Sequence, residues 1–214
     1  MACPSCSRPV PDGARFCPSC GHALATAAAR TGDEARRVVT VLFADVVGFT
    51  SLAEQRDPEQ VKRLVDAAFE RLVADVERHG GVVDKVLGDG IVALFGAPVA
   101  HEDDADRAVR AGLTMQETLA AFCRDHPSDA IRMRIGVNTG EVLVGTLAGT
   151  EYTALGDVVN TAARLQELAP TGAVLVGDAT RALCSRAVRF RRIEPLHIRG
   201  REQRLEAWQA VAVD

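Results

Sequence analysis

The sequence lacks the features that would direct it to a membrane, a secretory route or a nucleic acid. No uninterrupted apolar run approaches the roughly 20 residues that span a bilayer, and the N-terminus has no apolar signal core. The formal net charge of −4 gives no basic field of the kind that attracts nucleic acids or anionic lipids. We therefore expect a cytoplasmic protein with no membrane span and no nucleic-acid partner.

Lysine is also scarce, because only Lys62 and Lys85 among the 25 basic side chains are lysine and the rest are arginine. A lysine at a motif position in such a chain indicates a site that uses a compact ammonium group rather than a planar guanidinium. A single codon change would also explain the presence of such a lysine.

The chain has 214 residues, of which 47% are apolar, enough for one ordinary core and a small appendage. Four of the six cysteines form the appendage, in two Cys-x-x-Cys pairs separated by ten residues: Cys3, Cys6, Cys17 and Cys20. Two such turns direct four thiolates at one tetrahedral ion, usually Zn²⁺, and a unit this small needs the ion to fold. Two disulfides would require an oxidising compartment, and a redox motif would not need two copies. The pattern predicts a zinc ribbon over residues 1–24 with one structural Zn²⁺.

The other two cysteines, Cys123 and Cys184, stand alone in the sequence and are interpreted as small apolar side chains of a core.

A linker over 25–37 leads to a main domain over 38–214, in which strands and helices are mixed along the chain. A continuous apolar strand is predicted over 38–43, and strand pairs over 82–87 with 91–95 and over 131–137 with 142–147. A capping-box pattern predicts a short helix from Ser51. Longer helices are predicted from Pro58 to about residue 79, over 103–122, and from Gly156 to just before Pro170. This order predicts an α+β fold, a mainly antiparallel sheet with helices on one face.

Two aspartates of this domain follow apolar strands. Asp45 lies where the first strand ends, and Asp89 lies in the predicted Gly88-Asp89-Gly90 hairpin turn. If the strands are neighbours, the carboxylates converge and favour a hard cation such as Mg²⁺ or Mn²⁺. Residues 48–51 place backbone N–H groups at a helix start, which suits phosphate. Taken separately, each aspartate is more simply a turn or cap residue.

Three motifs in order change that interpretation. They are Phe43-x-Asp45-x-x-Gly48-Phe49-Thr50, Lys85-x-x-Gly88-Asp89, and Tyr152-Thr153-x-x-Gly156-Asp157-x-Val159-Asn160-x-Ala-x-Arg164. Together they resemble the catalytic domain of class III nucleotidyl cyclases over residues 38–213. The resemblance implies a ferredoxin-like, palm-type sheet and an adenylate cyclase that makes 3′,5′-cyclic AMP and pyrophosphate from ATP.

The resemblance also implies the roles of individual residues. Asp45 and Asp89, with Val46, would hold two Mg²⁺ or Mn²⁺ ions, which activate the ribose 3′-hydroxyl for in-line attack on the α-phosphorus. Asn160 would orient the ribose, and Arg164 would stabilise the charge of the transition state. Phe49, Thr50 and Arg199 would contact the substrate; a basic surface facing solvent explains Arg199 equally well.

Lys85 and Thr153 match the pair of residues that recognises the base in this family. An ammonium donates to the N1 acceptor of adenine, and a hydroxyl accepts from the adenine amino group. Thr153 departs from the aspartate of the commonest pattern and matches a threonine-containing subgroup, so guanylate cyclase remains an alternative.

The family resemblance further implies a homodimer in which each active site takes its metal aspartates from one subunit and its Asn160 and Arg164 from the other. A catalytically silent nucleotide-binding module that signals by dimerising is the alternative of a different class. The ribbon would serve regulation or docking of a protein partner; a ribbon that binds nucleic acid has little support, since Phe16 is its lone aromatic residue.

Overall fold

The computed structural model describes residues 35–47, 57–125, 131–147, 151–196 and 204–214. Eight strands form one sheet in the order β2-β3-β1-β4-β6-β8-β7, and β5 pairs with β4. The strands are β1 (Ala35–Val47), β2 (Val82–Leu87), β3 (Gly90–Phe95), β4 (Arg132–Leu147), β5 (Glu151–Leu155), β6 (Val174–Gly177), β7 (Val188–Arg192) and β8 (Ala207–Val213). The helices are α1 (Pro58–Arg78), α2 (Asp104–Asp125), α3 (Asp157–Leu168) and α4 (Asp178–Leu183). Only the β4–β6 pair is parallel, so the predicted α+β fold with a mainly antiparallel sheet is confirmed.

Helix α1 begins where the sequence predicts. The Asp57 side chain accepts a hydrogen bond from the backbone N–H of Glu59 at 2.8 Å, and Pro58 occupies the first turn, where no intrahelical donor is needed. On its apolar face, Leu72 and Val76 are fully buried. Gly80, at φ 82°, turns the chain into β2.

Strand β4 is continuous, so the predicted pair of strands over 131–137 and 142–147 is wrong. Its register with β1 runs unbroken through Thr40↔Thr139 and Val39↔Gly140. Gly140 makes no turn; a Cβ atom there would lie 2.7 Å from the Cγ2 atom of Val158 in α3. The glycine permits close approach of a helix rather than a reversal of the chain.

The prediction that all helices lie on one face of the sheet is also wrong. On one face, Leu42 and Ala44 share a buried cluster with residues of α1 and α2, including Leu72 and Met115. On the other face, Val39 and Val41 belong to a cluster with Ala162 of α3. Strand β1 is covered on both sides, which explains why its sequence is apolar at successive positions instead of alternating.

Within the described ranges, no helix is both long enough and apolar enough to cross a membrane.

Candidate functional site

The end of β1 lies beside the turn that joins β2 to β3. Asp45 is paired with Gly90, and the backbone N–H of Val46 donates a hydrogen bond of 3.0 Å to the carbonyl oxygen of Asp89. Gly88, at φ 61°, adopts the left-handed conformation that this tight turn requires. The two aspartates are therefore brought together by adjacent strands, which meets the condition on which the prediction from the sequence depended.

The Asp45 carboxyl group is half-buried, and its pKa is raised above the usual range. Burial is the largest cause, and the negative charge of Asp89 adds to it. Coulombic attraction and hydrogen bonding by Arg134, with a further hydrogen bond from Gln166, act in the opposite direction without cancelling the rise. A bound cation would offset the repulsion that Asp89 exerts on the ionised Asp45 carboxylate.

Asp45 is contacted by two residues that the sequence did not identify as part of the site. The Nη2 atom of Arg134 lies 3.4 Å from Oδ2 of Asp45, and the Nε2 atom of Gln166 donates to the same oxygen at 3.2 Å. Arg134 also donates from Nη1 to the carbonyl oxygen of Glu167 at 3.0 Å. No spacing in the sequence identifies these contacts, because they depend on the register Asp45↔Arg134 and on the packing of α3.

The donor set at this position fits Mg²⁺ or Mn²⁺. A Cβ atom on Gly90 would lie 3.8 Å from Oδ1 of Asp45, so the glycine leaves room beside the oxygen that Arg134 and Gln166 do not contact. No group of three or more histidine, cysteine or acidic side chains suited to a metal occurs among the described residues. Mg²⁺ commonly uses one or two protein carboxylates and completes its shell with water and substrate phosphate oxygens. Two neighbouring aspartates suit that mode of binding.

Lys85 lies on β2, four residues before Asp89, and its side chain is 36% exposed. Its Nζ atom is 3.2 Å from Oδ2 of Asp84, whose side chain is only 5% exposed. The ammonium group of Lys85 is thus paired with a nearly buried carboxylate. Thr153 lies on β5, where its backbone pairs with Gly145 of β4.

Asn160 and Arg164 lie on α3, four residues apart, and both are exposed. The opposite side of the helix is buried against the sheet through Thr161, Ala162, Leu165 and Gln166. Nη1 of Arg164 lies 2.5 Å from Oε2 of Glu167. Within the described part of the chain, no hydrogen bond joins Asn160 or Arg164 to Asp45 or Asp89.

The remaining predicted site residues fall outside the described residues. They are Phe49, Thr50, Arg199 and the four ribbon cysteines, Cys3, Cys6, Cys17 and Cys20.

Comparison with known families gives two matches. Residues 33–210 match the family model described as the adenylate and guanylate cyclase catalytic domain, and residues 3–24 match a zinc-ribbon domain. The first match contains Asp45, Asp89, Asn160 and Arg164.

Similar individual proteins include Adenylate cyclase 1 of Rhizobium meliloti, which is 33% identical over 186 residues. That alignment covers 83% of this chain and 28% of the relative, so the chain corresponds to little more than a quarter of that protein's length. Among solved structures, the adenylyl cyclase CyaB from P. aeruginosa has a TM-score of 0.82 at 26% identity, covering 85% of this chain and 97% of that one. The guanylyl cyclase Cya2 has a TM-score of 0.77 at 32% identity, covering 85% of this chain and 95% of that one.

Proposed function

The chain belongs to the adenylate and guanylate cyclase catalytic domain family, and from that premise we propose that it is an adenylate cyclase. It would convert ATP into 3′,5′-cyclic AMP and pyrophosphate. The observation that carries the proposal is the juxtaposition of Asp45 and Asp89 at the end of β1, inside the region that the family model matches. The similarity to two proteins named adenylate or adenylyl cyclase supports the choice of nucleotide.

Asp45 and Asp89, with Val46 beside them, would hold two Mg²⁺ or Mn²⁺ ions. When bound, the ions lower the pKa of the ribose 3′-hydroxyl and neutralise charge on the triphosphate. The raised pKa of Asp45 supports this assignment, because a nearby cation would stabilise the ionised form of a carboxyl group that its surroundings disfavour. Arg134 lies beside Asp45 and would add a positive charge close to the bound ions.

One donor and one acceptor side chain would recognise the base, and two side chains of α3 would contact the ribose and the α-phosphate. The Lys85 ammonium would donate to N1 of adenine, and the Thr153 hydroxyl would accept from the amino group. Asn160 would orient the ribose. The Arg164 guanidinium would donate to the α-phosphate oxygens as their charge builds up, where a donor is worth more than in the ground state. Phe49, Thr50 and Arg199 would complete the contacts with the substrate.

We propose a homodimer in which each active site is shared between the subunits. The exposure of Asn160 and Arg164 supports this arrangement, because both are available to a second copy of the chain, while Asp45 is half-buried and hydrogen-bonded within its own subunit. Each dimer would hold two complete sites.

The N-terminal region would bind one structural Zn²⁺ through Cys3, Cys6, Cys17 and Cys20 and would serve as a contact for a regulatory or protein partner. The match of residues 3–24 to a zinc-ribbon family supports the metal assignment. Elemental analysis of purified protein should find one zinc per chain, and Cys17→Ser should lose it. A zinc content unchanged by Cys17→Ser would contradict this ligand set.

Guanylate cyclase activity is the second candidate, because Cya2, at 32% identity, is a guanylyl cyclase. A donor-only lysine at position 85 favours adenine, since it opposes the N1–H group of guanine.

Incubation of the purified protein with ATP or GTP and Mg²⁺ or Mn²⁺, followed by mass spectrometry, tests the proposal. Cyclic AMP with pyrophosphate is the expected result. Cyclic GMP as the main product would overturn the choice of base, and no cyclic product with either metal would favour a silent nucleotide-binding module.

A further inference from the structure

Asp45 lies near the end of β1, and its two carboxylate oxygens have different surroundings. Oδ2 accepts from Gln166 Nε2 at 3.2 Å and lies 3.4 Å from Nη2 of Arg134. Oδ1 is the oxygen nearest Gly90, whose missing side chain leaves space on the side of the β2–β3 turn. One oxygen is thus held by the protein and the other is directed toward the turn that carries Asp89.

The amide of Gln166 is well suited to hold the carboxylate. Gln166 is 7% exposed, so its hydrogen bond forms with little competition from water. An ionised carboxylate only accepts hydrogen bonds, so the amide NH₂ group, and not its carbonyl oxygen, must face Asp45.

The backbone that carries Gln166 is fixed by close packing of α3 on β4. A Cβ atom on Gly136 would lie 2.3 Å from the backbone nitrogen of Gln166 and 2.3 Å from the carbonyl oxygen of Ala162. The bond from Arg134 to the carbonyl oxygen of Glu167 is a second link between the same strand and helix. The amide of Gln166 therefore has little freedom to move away from Asp45.

We propose that Gln166 is a positioning residue for the metal site: it holds Asp45 in the orientation that leaves Oδ1 for the cation, and it ties that carboxylate to α3. The inference rests on the proposed function, in which Asp45 is a metal ligand. Outer-shell partners of metal ligands commonly contribute about 10- to 100-fold to metal affinity. Because α3 also carries Asn160 and Arg164, the same hydrogen bond links the metal side of one site to the helix that would serve the other.

The test compares Gln166→Met, which keeps most of the side-chain volume and removes the donor, with Gln116→Met as a matched control. Gln116 also uses its amide as a donor, to the carbonyl oxygens of Met133 and Ala173 at 3.3 and 3.4 Å, but it does not contact Asp45. Binding of Mn²⁺ alone to each purified protein is measured from the electron paramagnetic resonance signal of the free ion. Asp45→Ala is the reference for loss of the site.

Gln166→Met should weaken Mn²⁺ binding about 10-fold or more, while Gln116→Met binds as the wild type does. Unchanged or tighter binding by Gln166→Met, alongside a loss in Asp45→Ala, would overturn the positioning role and leave the proposed function intact. If Asp45→Ala binds Mn²⁺ as the wild type does, the metal assignment fails and this inference fails with it.

A measurement on the wild-type protein guards against misfolding of the variant. In a Mg²⁺ titration followed by nuclear magnetic resonance, the side-chain NH₂ signals of Gln166 should shift with the midpoint of metal binding, and those of Gln116 should not. Gln166 signals that stay constant through saturation would contradict the proposal.

Discussion

The two halves of the candidate site differ in how firmly a single chain holds them. Asp45 is hydrogen-bonded by Gln166 and Arg134, which lie on different elements, and its neighbour Asp89 is fixed by the pairing of β1 with β3. Arg164 projects from the exposed face of α3 and is hydrogen-bonded to Glu167 on its own helix. In a site completed by a second subunit, we expect one half, here with Asp45, to be preorganised for the metal and the other, here with Arg164, to be exposed to the partner.

The largest effect is expected at the half of the site that contains Asp45. Asp45→Ala should lower cyclic AMP formation by about 1,000-fold or more, because the metal would lose a ligand at the reacting centre. Asp66→Ala, which removes an exposed aspartate paired with Lys62 on α1, is the control and should leave the rate unchanged. A rate of cyclic AMP formation by Asp45→Ala within a few-fold of the wild type would contradict the role of Asp45 as a metal ligand.

The half that contains Arg164 should show a different kinetic signature. Arg164→Ala should lower kcat by about 100- to 1,000-fold with little change in KM, because the guanidinium acts on charge that exists mainly in the transition state. Arg63→Ala, on the exposed face of α1 near Glu59, is the matched control. Steady-state kinetics with ATP distinguishes the cases; a rise in KM alone would mean that Arg164 only binds substrate.

The choice of base should depend on Lys85. Lys85→Glu replaces a donor with an acceptor that suits the N1–H and amino groups of guanine, so the ratio of cyclic AMP to cyclic GMP should fall about 10- to 100-fold. The chain's other lysine supplies the control, since Lys62→Glu on α1 should leave the ratio as it was. Product ratios measured with equal ATP and GTP decide the matter, and an unchanged ratio would separate Lys85 from base recognition.

The smallest expected effect concerns the packing that joins the halves. Gly136→Ala would bring a methyl group against the backbone of α3 and should lower the free energy of unfolding by about 1 to 3 kcal/mol. Gly112→Ala is milder, because its Cβ atom would meet side-chain methyl groups of Val174 and Ile135 at 3.3 and 3.4 Å. Urea denaturation compares the two. Equal losses would show that the α3–β4 contact is less rigid than the structure indicates.

Local signals in the sequence predicted much of the fold. Asp57-Pro58 marked the start of α1, and Gly88-Asp89-Gly90 marked the β2–β3 turn, because caps and tight turns depend on the residues that form them. Gly140 misled the prediction of β4, since a glycine that admits a helix resembles, in one dimension, a glycine that makes a turn.

In the candidate site, too, local sequence patterns predicted some features and missed those that depend on tertiary packing. The sequence predicted that Asp45 and Asp89 would lie close together if their strands were neighbours, and the pairing of β1 with β3 meets that condition. Arg134 and Gln166 were missed because their contacts with Asp45 span 89 and 121 positions and depend on strand register and helix packing, which short-range patterns do not encode.

Subunit mixing tests most directly whether the half of the site with Asp45 and the half with Arg164 meet across a dimer. Asp45→Ala and Arg164→Ala proteins, each nearly inactive alone, are mixed in equal amounts and allowed to exchange subunits, with exchange verified by distinguishable tags. Random pairing makes half of the dimers mixed, each with one intact site, so the mixture should regain about a quarter of wild-type cyclic AMP formation. No recovery after verified exchange would contradict the shared site.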